Sequence, residues 1–477
     1  MSAVICWFHQ DLRLSDHPAL TAAIAKGKPV LPIYVYDDIS PGKWAAGGAS
    51  RWWLDQSLRA LDADLRQLGS QLIIMKGSAD MVIPALANAH AVSDVYAHTH
   101  HEPWARKMQE RLASRLKADG VGFHHSEGVL LFPPGSGLSK VGERMRVFTP
   151  FKRSLYRLGR YRSIAPRPKH IPAPDQWSDH IGIDGLGLIN HQIGWHKTLV
   201  PHWQVGEAAA QQMLADFIDH HMDDYKQLRD FPSLKSTSRL SPHLHFGEVS
   251  PLQILNAVES VTSLDDNDGA EHFISEVIWR EFSYELLDQR PDMPQAPLKE
   301  AFSRFPWADH YDHLLAAWKR GETGYPLIDA GMRELYATGW MHNRIRMITA
   351  SFLTKHLLIP WQEGEDWFFD TLVDADLASN SAGWQWVAGS GADASPYFRI
   401  FNPITQGAKF KASEYVRRWL PALNGLSDDM LFDPSSAPPA LVEAAGVELG
   451  KTYPHALVDH ASARQKALAA YEKIKAS

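Results

Sequence analysis

The sequence predicts a parallel α/β sheet domain followed by a larger all-helical domain, and three observations lead there. Between residue 3 and about residue 130, short apolar runs alternate with helical stretches. From Glu207 onward, apolar residues recur almost throughout at the 3.6-residue spacing of helices. Residues 131–205, between the two, are polar, weakly periodic and punctuated by Pro133, Pro134, Gly135, Gly137, Pro166, Pro168, Pro172 and Pro174. At 477 residues the chain is longer than one core usually supports. The expected organisation is therefore an α/β domain over 1–130, a connection over 131–205 and a helical domain over 206–477.

In the first part, Val4–Phe8, Val30–Tyr36, Leu72–Met75, Val92–Tyr96 and Val121–His124 read as buried strands. Helices are expected over Ala19–Ala25, Arg51–Leu68 and Trp104–Ala118. Such alternation gives a Rossmann-like parallel sheet covered on both faces, which binds ligands beyond the carboxyl ends of its strands. No G-x-G-x-x-G follows the first strand, and Gly47-Gly48 alone does not make a nicotinamide dinucleotide site. In the last part, the pattern predicts helices over Glu207–His220, Pro251–Val261, His272–Gln289, Tyr311–Lys319, Pro326–Ala337, His342–His356, Gly364–Leu372 and Ala461–Ile474.

Composition narrows the setting. With 45% hydrophobic residues the chain can bury a core without staples, and its one cysteine, Cys6, excludes an internal disulfide and fits a reducing cytoplasm. The only apolar run near the N-terminus, Ala3 to Phe8, is too short for a secretory segment or a membrane span. A soluble, cytoplasmic, monomeric protein is the expectation. The formal charge of −7 does not by itself suggest a nucleic-acid binder. A local exception is Arg144 to Lys169, rich in Lys and Arg, free of Asp and Glu, and interspersed with Phe148, Phe151, Tyr156 and Tyr161. It reads as a solvated basic connection rather than a dedicated DNA groove.

The chemistry concentrates between Leu335 and Phe401. In Gly339-Trp-Met-His-Asn-Arg-Ile-Arg-Met347, Gly339 closes one helix and another begins, so that Asn343 and Met347 share a face at i and i+4. Asp374-Ala-Asp-Leu-Ala-Ser-Asn-Ser-Ala-Gly-Trp-Gln-Trp386 gathers two carboxylates, an asparagine amide and two tryptophans, a composition suited to an aromatic cofactor with polar edges. Phe273, Glu276, Trp279 and Arg280 line one helix face, either for a ligand or as an internal Glu276–Arg280 pair beside a core tryptophan. Thr237-Ser-Arg-Leu-Ser241 could cradle a diphosphate or be a turn with a capping serine. The histidines His98, His100, His101, His243 and His245 lack the spacing of a metal site and read as core or surface residues.

These segments, together with Trp7-Phe-His-Gln-Asp-Leu-Arg-Leu14, Ile278-Trp-Arg-Glu-Phe282 and Ser395-Pro-Tyr-Phe-Arg-Ile-Phe-Asn-Pro403, resemble the photolyase/cryptochrome family. Within it they are most similar to bacterial cyclobutane-pyrimidine-dimer photolyases, with class III a candidate subgroup. The resemblance implies an antenna-binding α/β domain and a helical FAD-binding catalytic domain. It assigns FAD contacts to Tyr225, Thr237, Ser238, Arg239, Leu240, Ser241, Arg280, Arg346, Asp374, Asp376 and Asn380. Asp376 would accept from the ring imide, and Asn380 would be the neutral amide near N5 that suits the fully reduced flavin. Glu276, Asn343 and Met347 would be catalytic, while Trp279 and Trp386 would wall the pocket for a flipped lesion. Trp384 nearest the flavin, Trp361 in the middle and Trp307 toward solvent would relay electrons inward to the oxidised flavin, with Trp318 or Phe273 as further neighbours. Arg229, Arg344 and Arg399 would hold phosphates of UV-damaged DNA.

The activity implied is light-driven repair, in which excited reduced flavin lends an electron to the dimer and receives it back. The rival is a cryptochrome-type photoreceptor signalling through a partner, and a third possibility is a light-independent flavoprotein or a helical DNA-binding scaffold. Six-four repair is disfavoured because the positions of its catalytic histidines hold Asn343 and Met347, and His342 would point about 100° away from Asn343 on the helix. The folate-binding Asn-Glu pair of some bacterial photolyases is replaced by Glu102-Pro-Trp-Ala-Arg106. Methenyltetrahydrofolate held in another mode is the first expectation for the antenna, a deazaflavin the second.

Overall fold

The computed structural model describes residues 2–159, 162–397 and 399–475. Tyr161 and Phe398, named above, lie outside the described residues. Five parallel strands, β1 (Val4–Phe8), β2 (Val30–Tyr36), β3 (Ile73–Lys76), β4 (Asp94–His98) and β5 (Gly122–Ser126), form one sheet in the order β3-β2-β1-β4-β5. Its central register sets Ile5 between Leu31 and Val95. Every residue of β1 and β2 is buried, as a sheet covered on both faces requires. The order reverses between β1 and β4, where His98 ends β4 and the turns beyond the two strands carry the buried His9 and His100.

Helices α1 (Pro18–Ala25), α2 (Gly48–Gln67), α3 (Ala79–Ala89) and α4 (Pro103–Ala118) complete the α/β pattern. Helix α3, not among the helices named from the sequence, holds Pro84 in its interior. The proline cannot donate to the Asp80 carbonyl one turn back, and Arg115 Nη1 of α4 donates to that oxygen at 2.9 Å. A tertiary contact thus satisfies the acceptor that local propensity would leave bare.

The expected connection also contains a helix, α5 (Phe148–Leu158), which buries Phe148, Phe151, Ser154 and Leu155 at helical spacing. The basic stretch is therefore partly a folded, amphipathic element. Its Lys152 pairs with Glu271 and donates to Ser275 Oγ at 3.0 Å.

Later helices follow the predicted periodicity with small shifts, among them Glu207–His220, Asp268–Gln289, Pro326–Thr338, Trp361–Thr371 and His460–Lys475. The helix expected over His342–His356 is α-helical only over Asn343–Ser351 and continues as a π turn over Phe352–His356. Leu377–Ala388 is an additional helix that the apolar pattern did not show. Its buried stripe includes the polar Ser381 and Gln385. Ser381 bonds to Glu365, and Gln385 Nε2 donates to the carbonyls of Met293 at 2.7 Å and Ala296 at 2.9 Å.

By packing, the chain divides into two compact units: Met1–Asp223 with Ser238–Pro291 and Val373–Ala378, and Asp224–Thr237 with Asp292–Leu372 and Ser379–Ser477. This division cuts across the boundaries read from the sequence, because the Asp268–Gln289 helix packs in the unit that contains the sheet. Among the described residues no helix is long and apolar enough to cross a membrane.

Candidate functional site

In the first unit the site grows from the Asp268–Gln289 helix. Asn267 caps it, accepting from the Ala270 amide at 2.9 Å. Phe273 does not reach the site: it is buried against Phe217, ring centroids 4.4 Å apart. Glu276 and Trp279 are half-buried. Glu276 lies 3.9 Å from His272 one turn earlier, and Trp279 stacks on Phe148. Arg280 donates from Nη1 to the Val129 carbonyl at 3.0 Å and lies over the Tyr284 ring, while its buried Nε meets no protein acceptor.

One turn on, the Tyr284 hydroxyl donates to Oδ2 of Asp376 at 2.6 Å, and His245 Nδ1 lies 3.6 Å from the same oxygen. Asp376 is 5% exposed. Burial opposes its ionisation, yet the nearby His245 imidazole, the Arg280 charge and the Tyr284 hydrogen bond hold its carboxyl well below the usual range. Asp374 accepts from Ser241 Oγ at 2.6 Å. In the hydroxyl cluster, Arg239 takes a left-handed backbone (φ 53°) with its guanidinium over Trp203, Leu240 is buried, and the Leu240 amide donates to Ser238 Oγ at 3.4 Å.

In the second unit, Gly339 (φ 68°) ends the Pro326–Thr338 helix as expected. His342 is not on the following helix but caps it, Nδ1 accepting from the Arg344 amide at 3.2 Å. Burial pushes this imidazole down to about 4, so it is neutral near pH 7. Asn343 is exposed and Met347 half-buried. Arg346 donates from Nε to the Met341 carbonyl at 2.7 Å and faces Trp340. Asn380 donates to the Glu365 carbonyl at 3.0 Å, which orients its amide.

Of the three tryptophans expected to relay electrons, Trp384 and Trp361 are buried and Trp307 is half-buried. Trp384 meets Trp318 and Phe368 edge-on at 6.2 and 5.0 Å. It lies against the backbone of the Trp361–Thr371 helix at Gly364, one turn beyond Trp361. Trp386 is half-buried. Arg344 pairs with Asp230 at 2.5 Å and joins Arg399, Asn402, Lys409 and Phe410 in lining a groove of about 440 Å³. Arg229 lies over Tyr225, which is buried, and Thr237 is half-buried.

The first cluster fits a flavin by its donor set: an ionised, buried acceptor for an imide N–H, and a guanidinium with a buried N–H to donate. Histidine also gathers in the sheet unit, where Asp11, His17 and His98 offer ligand atoms within 4.8 Å of one another. There His17 Nδ1 accepts from the Leu20 amide, which puts the ring proton on the nitrogen facing Asp11. A buried carboxylate attracting two imidazole N–H groups accounts for this arrangement.

Residues 4–174 match the DNA photolyase family model, and residues 273–473 match the FAD binding domain of DNA photolyase. The deoxyribodipyrimidine photo-lyase of Agrobacterium fabrum is 44% identical over 473 residues, 99% of this chain and 98% of that protein. The chain belongs to the photolyase/cryptochrome family. Cryptochrome-1 of Arabidopsis thaliana is another photolyase/cryptochrome relative, 37% identical over 96% of this chain and 69% of that protein. Among solved structures, a bacterial class III photolyase from Agrobacterium tumefaciens superposes with a TM-score of 0.95 at 43% identity, covering all of this chain and 98% of that one.

Sequence reasoning missed several residues of this photolyase/cryptochrome site. Tyr284 follows Arg280 by four and Glu276 by eight, so helical spacing alone could have found it. His245 was dismissed with the other histidines, since nothing local signals its approach to Asp376. Glu102, expected only as a departure from a folate motif, is buried at the start of α4, accepts from Trp104 Nε1 at 2.6 Å and is raised by burial and by Asp376. Arg106 of the same stretch pairs with Asp288. The residues around Glu102 are thus engaged with the protein itself.

Proposed function

We propose that this family member is a deoxyribodipyrimidine photo-lyase, repairing cyclobutane pyrimidine dimers in UV-damaged DNA as a cytoplasmic monomer. The observation that carries this reading is the full-length likeness, at 44% identity, to a protein of that name. FAD, when bound and reduced, supplies the light-excited electron that opens the dimer's two carbon–carbon bonds and then returns. Everything else falls to the chain's own groups, which position and polarise.

Asp376, ionised and fixed by Tyr284 and His245, holds the imide edge of the ring, with Arg280 at its carbonyl side. Asn380, its amide oriented by Glu365, cannot supply a proton near N5, and so favours the reduced anion. Tyr225, Thr237, Ser238, Arg239, Leu240, Ser241, Arg346 and Asp374 bind the remainder of the cofactor. Trp279 and Trp386 bind the flipped dimer, and Glu276, Asn343 and Met347 act on it as catalytic residues. Arg229, Arg344 and Arg399 take flanking phosphates, and Trp384, Trp361 and Trp307 carry electrons inward. A dimer disrupts stacking and is cheaper to extrude than an intact pair, so the lesion itself is the specific feature. Methenyltetrahydrofolate, or failing that a deazaflavin, serves as antenna.

The test is purified, FAD-loaded protein with a dimer-containing oligonucleotide, kept dark or under blue light. Light-dependent loss of dimers is the expected result. Bound flavin without repair would transfer the reading to a cryptochrome-type photoreceptor, for which the 37% identity to Cryptochrome-1 speaks. Glu276→Ala is expected to lower the repair yield per absorbed photon.

A further inference from the structure

We infer that Phe148 is the positioning residue that presents Trp279 to the lesion, an inference resting on the lesion-binding role proposed for Trp279. The two rings are parallel, 5° apart in plane with centroids at 3.7 Å. Phe148 is 8% exposed, whereas Trp279 is half-buried, so the indole is covered on the Phe148 side and keeps solvent contact elsewhere. Phe282 stands edge-on to both rings, at 5.7 Å from Trp279 and 5.9 Å from Phe148. Two aromatic rings, themselves in contact, thus constrain the two torsions of one indole.

The Phe148 side of this stack is itself held in place. Arg144 binds Glu285 at 2.6 Å and Asp288 at 2.5 Å, and Gln289 Nε2 donates to the Met145 carbonyl at 3.0 Å. At the other end, Lys152 pairs with Glu271 and Ser275. Residues 144, 148 and 152 therefore meet 285, 279 and 271 in reverse order, each step of four along the segment passing about two turns of the helix. The segment is an antiparallel strap along the Asp268–Gln289 helix, with Phe148 at its midpoint. Its basic residues serve partly as fastenings to that helix's acids.

A surface indole free to swing loses rotamer freedom when it stacks on a base; one already stacked on Phe148 has lost it beforehand. The stack therefore preorganises the pocket toward a flat, rigid, paired-base ligand and contributes nothing to intact duplex, which leaves its bases inside. It acts on affinity and selectivity for the lesion. The splitting step depends on groups that touch the dimer, and Phe148 acts on it only through Trp279.

The experiment compares FAD-loaded wild type, Phe148→Leu and Phe148→Tyr for dissociation constants on a dimer-containing oligonucleotide and on its undamaged twin. Near-ultraviolet circular dichroism reports the indole environment, with Trp279→Leu as reference. Phe148→Leu is expected to weaken dimer binding about three- to tenfold. It should leave the undamaged-DNA constant unchanged and remove the part of the dichroism that Trp279→Leu removes. Phe148→Tyr, which keeps the ring, should restore all of these. The inference is overturned if Phe148→Leu binds the dimer as wild type does, if both oligonucleotides lose affinity equally, or if Phe148→Tyr is as impaired as Phe148→Leu. If Phe148→Leu does not fold, the Tyr variant decides: a ring that leaves selectivity and dichroism unaltered supports the inference, and a loss of either ends it. A wild-type protein with no preference for the dimer would overturn the proposed function together with the inference.

Discussion

The hydroxyl of Tyr284 lies 2.6 Å from Oδ2 of Asp376, joining the helix that carries Glu276 and Trp279 to the carboxylate proposed for the flavin imide. Removing that hydroxyl while keeping the ring isolates the bond. Tyr284→Phe is expected to weaken FAD retention about ten- to hundredfold, the value of one lost hydrogen bond to a charged group. Flavin fluorescence released on dilution measures it. Unchanged retention would show that His245 and Arg280 suffice to fix Asp376.

Gly364 stands where a side chain has no room, since a Cβ there would come within 2.1 Å of Cη2 of Trp384. Gly364→Ala must therefore push the indole away from the Trp361–Thr371 helix. Overpacking of this kind costs about 1–3 kcal/mol, to be seen as a lowered Tm. Photoreduction of oxidised protein should slow with it if Trp384 is the first electron donor. A stable variant with unimpaired photoreduction would remove Trp384 from that role.

Arg399 is exposed on the groove that also holds Arg344 and Lys409. If it contacts a phosphate, Arg399→Ala weakens binding to damaged and undamaged DNA alike. The slope of log K against log salt should fall by about one. Titrations at several salt concentrations measure that slope. A slope equal to the wild-type value would place Arg399 outside the DNA contact.

Lys355, buried in the π turn, has its ammonium pushed down to about 7 by desolvation, with Nζ donating to the Arg399 carbonyl at 3.3 Å. An unfolded lysine titrates near 10.4. Between these values the unfolded chain binds more protons than the folded one, so this group makes stability rise with pH from about 7 upward. Its destabilisation is greatest below pH 7. Lys355→Met is expected to stabilise the protein by about 2–4 kcal/mol at pH 6–7, the lost Nζ bond included. The advantage should vanish toward pH 10.5, as denaturant melts across that range would show. A constant difference at all pH values would mean that Lys355 keeps its charge.

Much of the fold is legible locally. The bounds of β1 and β2 coincide with the apolar runs Val4–Phe8 and Val30–Tyr36, because a strand buried on both faces has nothing but apolar residues to show. Gly339 announces a helix end through its own backbone freedom. Where a partner far along the chain supplies the missing bond, the local pattern misleads. Pro84 sits in a helix because Arg115 takes the stranded carbonyl, and Ser381 and Gln385 occupy a buried stripe because Glu365 and two loop carbonyls receive them.

The site divides in the same way. The resemblance to the photolyase/cryptochrome family named Glu276, Trp279, Arg280, Asp374, Asp376 and Asn380, while helical spacing alone left Glu276 and Arg280 open to an internal pair beside a core tryptophan. Three things were in neither: the charge state of Asp376, the approach of His245, and the ring that backs Trp279. Each depends on burial and on distances between segments far apart in the chain, and such quantities exist only once packing has excluded water and brought the segments together.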